Sequence, residues 1–278
     1  MVRYKEIKKR QKQMNFEKIG ETNCRIDDIQ NQDKILIGGS FYGKMDLAVT
    51  ADLEQFEDFF QKVEINAQKV QENEAMKNWI NQVAPNLGST LFAHMWAFDN
   101  TLRKMYPNLS TNIDKRQNYY DEEGTKKLSQ SVSDGVCMCA EISILAQAYF
   151  QKQNIPTKIS GGELLHSKDE EFGEAHYYIS LQDKKGEDYI YDPANPLLYS
   201  NTYLPRISTL EVTPAQKKQF ENKIHSQGKG RACAFMEAKD VITKTSWYYG
   251  FGDGANIFPS FLFSKNNKSP IQAPENSL

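Results

Sequence analysis

Apolar residues recur at helical spacing through the first part of the chain and at strand-like spacing after its middle. Ile35-Leu36-Ile37 predicts a short strand cut off by Gly38-Gly39. Phe56, Phe59, Phe60, Val63 and Val70 predict a helix to about Glu72, with Asp52 as its N-cap and Gln55 completing a capping box. Met76, Trp79, Ile80 and Val83 predict a second helix, ended by Pro85, and Leu91, Met95, Phe98, Leu102 and Met105 a third, ended by Pro107. Ile142, Leu145, Ala146, Tyr149 and Phe150 form one apolar stripe on a fourth, with Asn154 as a left-handed cap and Pro156 beyond it.

The pattern then changes. Residues 157–160 read as a strand, bent at Gly161-Gly162; 174–181 and 188–192 read as two more, rich in β-branched and aromatic residues and joined through Gly186 as a hairpin. Thr213-Pro214 opens a surface helix to about His225, and 231–236 and 241–249 read as further strands. Gly250 to Gly254 follows a strand without opening a helix, so it reads as a turn and not a phosphate loop. Helices first, then a helix with strands, imply an α+β chain in which a central helix packs on an antiparallel sheet. The expected organisation is a polar arm (1–34), one domain (35–263, with 35–107 helical and 108–263 carrying the helix and strands) and a flexible tail (264–278). The polar segment 108–127 is placed to fold over the start of the fourth helix.

Charge adds an exclusion. Lys and Arg total 34 against 36 Asp and Glu in 278 residues, leaving no global field to attract nucleic acid or a membrane surface. The longest apolar run, Leu91 to Phe98, is interrupted by His94 and falls well short of the roughly 18 residues of a membrane span. Met1 to Lys12 is basic without the apolar segment of a signal peptide. Four cysteines are too few for a disulfide scaffold. The expected setting is the cytoplasm, or export by a route without a cleaved signal. No cofactor or metal is expected, since Cys137-x-Cys139 has no second close pair to complete a zinc site.

The chemistry concentrates at Gly135-Val136-Cys137-Met138-Cys139-Ala140-Glu141. A thiol in the first turn of a helix faces unsatisfied N–H groups and the positive end of the helix dipole, which favour the thiolate. Cys137 and Cys139 both compete for that position, and the bland alternative is that both are small core residues. A thiol nucleophile needs an imidazole, and the imidazole an acceptor that orients it. With a loop at 183–185, the hairpin register sets His176 opposite Asp192, so that His176 Nδ1 reaches the carboxylate. His94 and His166 are weaker candidates: one edges a helical stripe, the other sits in a polar loop.

Cys139-x-Glu141-x-Ser143-x-Leu145, the helix, Asn154-Ile155-Pro156-Thr157, and then His176 and Asp192-Pro193 in that order resemble the core of the transglutaminase-like superfamily, a branch of the papain-like cysteine fold. Counting back from Ile155-Pro156 selects Cys139 over Cys137, although Cys137 stands where the family usually has Gly. The resemblance covers roughly residues 130 to 196. It implies a Cys139–His176–Asp192 triad acting on amide bonds of protein or peptide substrates, as a protease, deamidase or transglutaminase. The Cys139 N–H would supply half of an oxyanion hole, with Gln130 or Asn118 eligible for the other half. Such a core between unshared flanks is similar to bacterial effectors. The alternatives are a catalytically silent binding module of the same fold, and an arylamine-acetyltransferase-like enzyme, whose usual Arg-Gly-Gly before the nucleophile is absent.

Overall fold

The computed structural model describes residues 25–26, 28–38, 47–120, 125–167, 174–182, 186, 188–210, 234–251 and 262–263. The tail from 264, the helix expected at 213–225 and His225 lie outside them.

The chain is mixed α+β. Strands β1 (Arg25–Ile26), β2 (Lys34–Gly38) and β3 (Leu47–Thr50) come first. Three helices follow: α1 (Glu57–Glu72), α2 (Glu74–Val83) and α3 (Ser89–Met105). Then come α4 (Arg116–Tyr119), β4 (Thr125–Lys127), α5 (Leu128–Ser133) and α6 (Cys139–Lys152). The remainder is β: β5 (Thr157–Leu165), β6 (Glu174–Gln182), β7 (Asp188–Tyr191), β8 (Leu197–Tyr199), β9 (Thr202–Leu204), β10 (Ile207–Leu210), β11 (Ala234–Asp240), β12 (Ser246–Phe251) and β13 (Leu262–Phe263). Among the described residues, no helix is long and apolar enough to cross a membrane.

The main sheet runs β1-β5-β12-β11-β10-β7-β6, antiparallel throughout, and β6 also pairs with β5. Its ends therefore meet and the sheet curls toward a barrel. Strand β5 permits this because one edge pairs with β6 along its length while the other is shared between β1 and β12. The pairing of β5 is continuous through Gly161 and Gly162, opposite Tyr177 and His176; the bend expected at that glycine pair does not form, because ladder hydrogen bonds on β6 hold it extended. A second sheet, β13-β2-β3-β4, lies apart.

Helix α6 sits between layers. Every residue from Ala140 to Phe150 is buried, not only the expected stripe, because the helix packs on β5 and β6 while Tyr149 and Phe150 meet the helical layer on its other side. The Tyr149 ring centroid lies 5.9 Å from Phe60 and 6.0 Å from Phe98, and that of Phe150 lies 6.3 Å from Phe98. Burying one such aromatic is worth about 1.5–3 kcal/mol, so this contact fixes the helix firmly. Asn154 takes the left-handed conformation (φ 55°) that ends it.

Three local expectations are corrected. Asp52 does not cap the helix that follows it; its carboxylate instead accepts from the N–H and hydroxyl of Ser129, at the start of α5. Residues 25–34 are not part of a loose arm: β1 pairs with β5, Ile29 is buried, and its N–H donates to Gln151 Oε1. Strands β11 and β12 lie at 234–240 and 246–251, because Asp240 Oδ1 gathers the N–H groups of Ile242 and Thr243 into a turn where the second was expected to begin.

One glycine is demanded twice over. Gly135, in the loop entering α6, has φ 66°, and a Cβ there would collide with the Asn108 carbonyl oxygen and stand 2.7 Å from Thr111 Oγ1. Gly135→Ala is expected to cost at least about 2 kcal/mol, as an unrelieved left-handed alanine in a crowded site. An unchanged urea midpoint would contradict this.

Candidate active site

The start of α6 separates the two thiols. Met138 is the extended N-cap and Cys139 the first helical residue. The Glu141 carboxylate returns to accept from the Met138 N–H (Oε2, 3.1 Å), the reciprocal half of a capping box. Cys137 is fully buried, and its thiol is pushed well above the ordinary range by that burial, with the nearby Glu141 acting in the same sense. Its carbonyl is held by the Ser110 hydroxyl at 2.7 Å. Cys139, half-exposed in the first turn, keeps an N–H without an intrahelical acceptor.

His176 projects from β6 and Asp192 follows the end of β7. His176 Nε2 meets Asp192 Oδ2 at 2.7 Å, and the Cys139 side chain acts electrostatically on the same imidazole, for which Nδ1 is the nitrogen the carboxylate leaves over. Two details differ from the sequence reading: the nitrogen facing the carboxylate is Nε2, not Nδ1, and the register is displaced by two. Gln182 pairs with Asp188 and Ile179 with Tyr191, and Gly186 between the strands has φ 80°. His176 therefore reaches Asp192 diagonally across the ladder. A displacement of two preserves which face each residue occupies, whereas one of one residue would reverse it.

Burial alone would lower the His176 pKa, yet the Asp192 carboxylate and, more weakly, Cys139 raise it to about 10. For Asp192 burial works upward, but His176, the Asn195 amide and the Arg206 charge outweigh it and bring the carboxyl below its ordinary range. Both shifts act in the direction that favours imidazolium and carboxylate.

The chain matches no protein-family model, no curated protein and no solved structure. The site must be read from its own geometry.

The surroundings of Asp192 were not foreseen. Oδ2 also accepts from Asn195 Nδ2 at 3.0 Å and from the Tyr249 hydroxyl at 3.3 Å. The Arg206 guanidinium lies 3.9 Å over the Trp247 ring and donates from Nε to the Asn195 carbonyl at 2.7 Å. Tyr178 and Tyr249 flank the imidazole, with ring centroids 6.3 and 6.4 Å away. Asn195 had a signal, since Asp-Pro-Ala-Asn-Pro is a side-chain-closed turn. Arg206 and Tyr249 had none, being brought in by β10 and β12 from outside the hairpin.

The polar segment 108–127 does reach the start of α6. Arg116 donates from Nε and Nη2 to Glu141 Oε1 at 3.0 and 2.7 Å, and the Tyr120 hydroxyl joins the same oxygen at 2.6 Å. Of the two further oxyanion donors considered, Gln130 is exposed on α5, and the side chain of Asn118 lies outside the described residues. His94 is buried with Nδ1 2.6 Å from the Tyr149 hydroxyl, its pKa lowered by burial against an opposing effect of Glu64. His166 is exposed, its ring centroid 5.2 Å from that of Trp247. Among the described residues, no group of three or more His, Cys, Asp or Glu could hold a metal ion.

Proposed function

We propose that this chain is a thiol enzyme that cleaves or exchanges amide bonds of protein or peptide substrates, using Cys139, His176 and Asp192 within a transglutaminase-like core. The observation that carries the reading is the 2.7 Å contact of His176 Nε2 with Asp192 Oδ2, on an imidazole whose charged form the Cys139 side chain also favours. Residues separated by up to 53 positions supply the thiol, imidazole and carboxylate that thiol catalysis uses, which supports these roles.

In the proposed reaction the Cys139 thiolate adds to the amide carbonyl carbon, and the oxyanion is received by the Cys139 N–H. His176 passes its Nδ1 proton to the leaving nitrogen as the C–N bond breaks, leaving a thioester and a neutral imidazole. Water or a primary amine then adds to the thioester while His176 takes its proton, and the C–S bond breaks to restore the thiolate. Asp192 keeps its negative charge throughout and stabilises the imidazolium. Water as acceptor gives proteolysis or deamidation, and an amine gives cross-linking. The reading suits a protein working in a cytoplasm or delivered without a cleaved signal.

Two measurements test it. Iodoacetamide at pH 6 should label Cys139, since a thiolate reacts where an ordinary thiol of pKa about 8.5 scarcely does. Intact-mass analysis of denatured casein, incubated with the protein with and without a primary amine, should show chain cleavage, a gain of about 1 Da per deamidated glutamine, or covalent addition of the amine. Absence of labelling at pH 6 together with an unaltered substrate would overturn the proposal.

A further inference from the structure

A carboxylate two residues from a nucleophilic sulfur, in the same turn of helix, works against the thiolate. Glu141 is such a group: it is fully buried, so water does not screen it. Removed from water it needs a counter-charge, and the one supplied is Arg116, itself buried and held in a two-pronged contact with Oε1. Resting on the thiol-enzyme reading, we infer that Arg116 is a positioning residue for that reaction: it neutralises Glu141 beside the nucleophile and adds its own positive field at Cys139.

The placement supports both halves. Burial disfavours the Arg116 charge, but Glu141, Tyr120 and, more weakly, Cys139 raise its pKa, so the guanidinium stays charged beside the carboxylate. Glu141 holds the Met138 N–H through its other oxygen, so the fork from Arg116 and the Tyr120 hydroxyl also fix the helix start on which Cys139 stands. An arginine serves here where a lysine would not, because the planar fork supplies Nε and Nη2 together to one oxygen. The charged and titratable groups facing Cys139 are then His176 from β6, with Asp192 behind it, Arg116 and Tyr120 from the 108–127 segment, Glu141 on its own helix and the buried Cys137 before it.

The test is the pH profile of iodoacetamide labelling at Cys139, read by mass spectrometry on the full chain. Arg116→Gln leaves Glu141 unopposed, and the midpoint should move up by about one pH unit or more. Glu141→Gln keeps one acceptor oxygen for the Arg116 fork, loses the oxygen that accepts from the Met138 N–H and removes the negative charge, and the midpoint should move down by a similar amount. A role limited to packing would not shift the two profiles in opposite directions. Arg116→Lys should fall between wild type and Arg116→Gln. If Arg116→Gln does not fold, Glu141→Gln decides alone, and an unmoved or upward-moving midpoint overturns the inference. The underlying reading fails by a different sign: wild type itself labelling only as an ordinary thiol.

Discussion

Cys139→Ala is expected to abolish turnover and labelling at pH 6 together, while Cys137→Ala leaves both in place. Loss of a nucleophile that acts as a unit with its base costs on the order of 10⁶-fold in rate, so the residual activity of Cys139→Ala should be indistinguishable from that without protein. Cys137 belongs to the core. It is fully buried, its thiol is pushed up by that burial, and its backbone carbonyl is tied to Ser110. Replacing it by alanine removes only a sulfur from a packed site, costing on the order of 1 kcal/mol. Intact-mass labelling and the urea midpoint measured on the same preparations separate the two effects. Labelling that survives in Cys139→Ala and disappears in Cys137→Ala would exchange the two roles.

Asp192→Ala is expected to be the most destabilising single change in the site. It leaves the buried His176 without its counter-charge and removes the acceptor of the Asn195 amide and the Tyr249 hydroxyl. Breaking a buried pair by deleting one partner costs about 3–5 kcal/mol. Asp192→Asn keeps the volume and an acceptor oxygen; its rate should still fall by about 10⁴-fold, as an amide in place of the acid does in a serine triad, with a smaller loss of stability. The pair also predicts a pH dependence with a definite sign. The His176 pKa is raised from 6.5 to about 10, so its contribution to stability is complete below about 6.5 and is lost as pH climbs toward 10. The Asp192 carboxyl is lowered from 3.8, so its contribution is complete above that value and is lost as pH falls below it. Both express one interaction, which is full between about pH 4 and 6.5. Urea midpoints across pH should fall on both sides of that window in wild type and flatten in Asp192→Asn. A wild-type midpoint that holds level from pH 6.5 to 10 would contradict the charged pair.

Parts of this arrangement were legible along the chain. The helices at 57–72, 74–83 and 89–105 follow the apolar spacing closely, and Asn154 and Pro156 mark the end of α6 because their backbone preferences are local. The common face of His176 and Asp192 was legible as well, since strand alternation has a period of 2 and survives an error of two in register. The register itself was not, because Gly186 accommodates its positive φ in connections of different length alike. Asp52 has the chemistry of a cap, but which helix end it meets depends on packing across 77 positions.

Periodicity and residue type thus determined the order of elements, the α+β class, the helix that begins at the cysteines, and a histidine and an aspartate on one face of a hairpin. Tertiary structure alone decided that Cys137 is sunk in the core while Cys139 stays partly exposed, and that Arg116, Arg206 and Tyr249 complete the surroundings. Faces and caps follow from backbone preferences within a few residues. Burial, counter-charge and pKa depend on what distant segments bring into a space from which water has been removed.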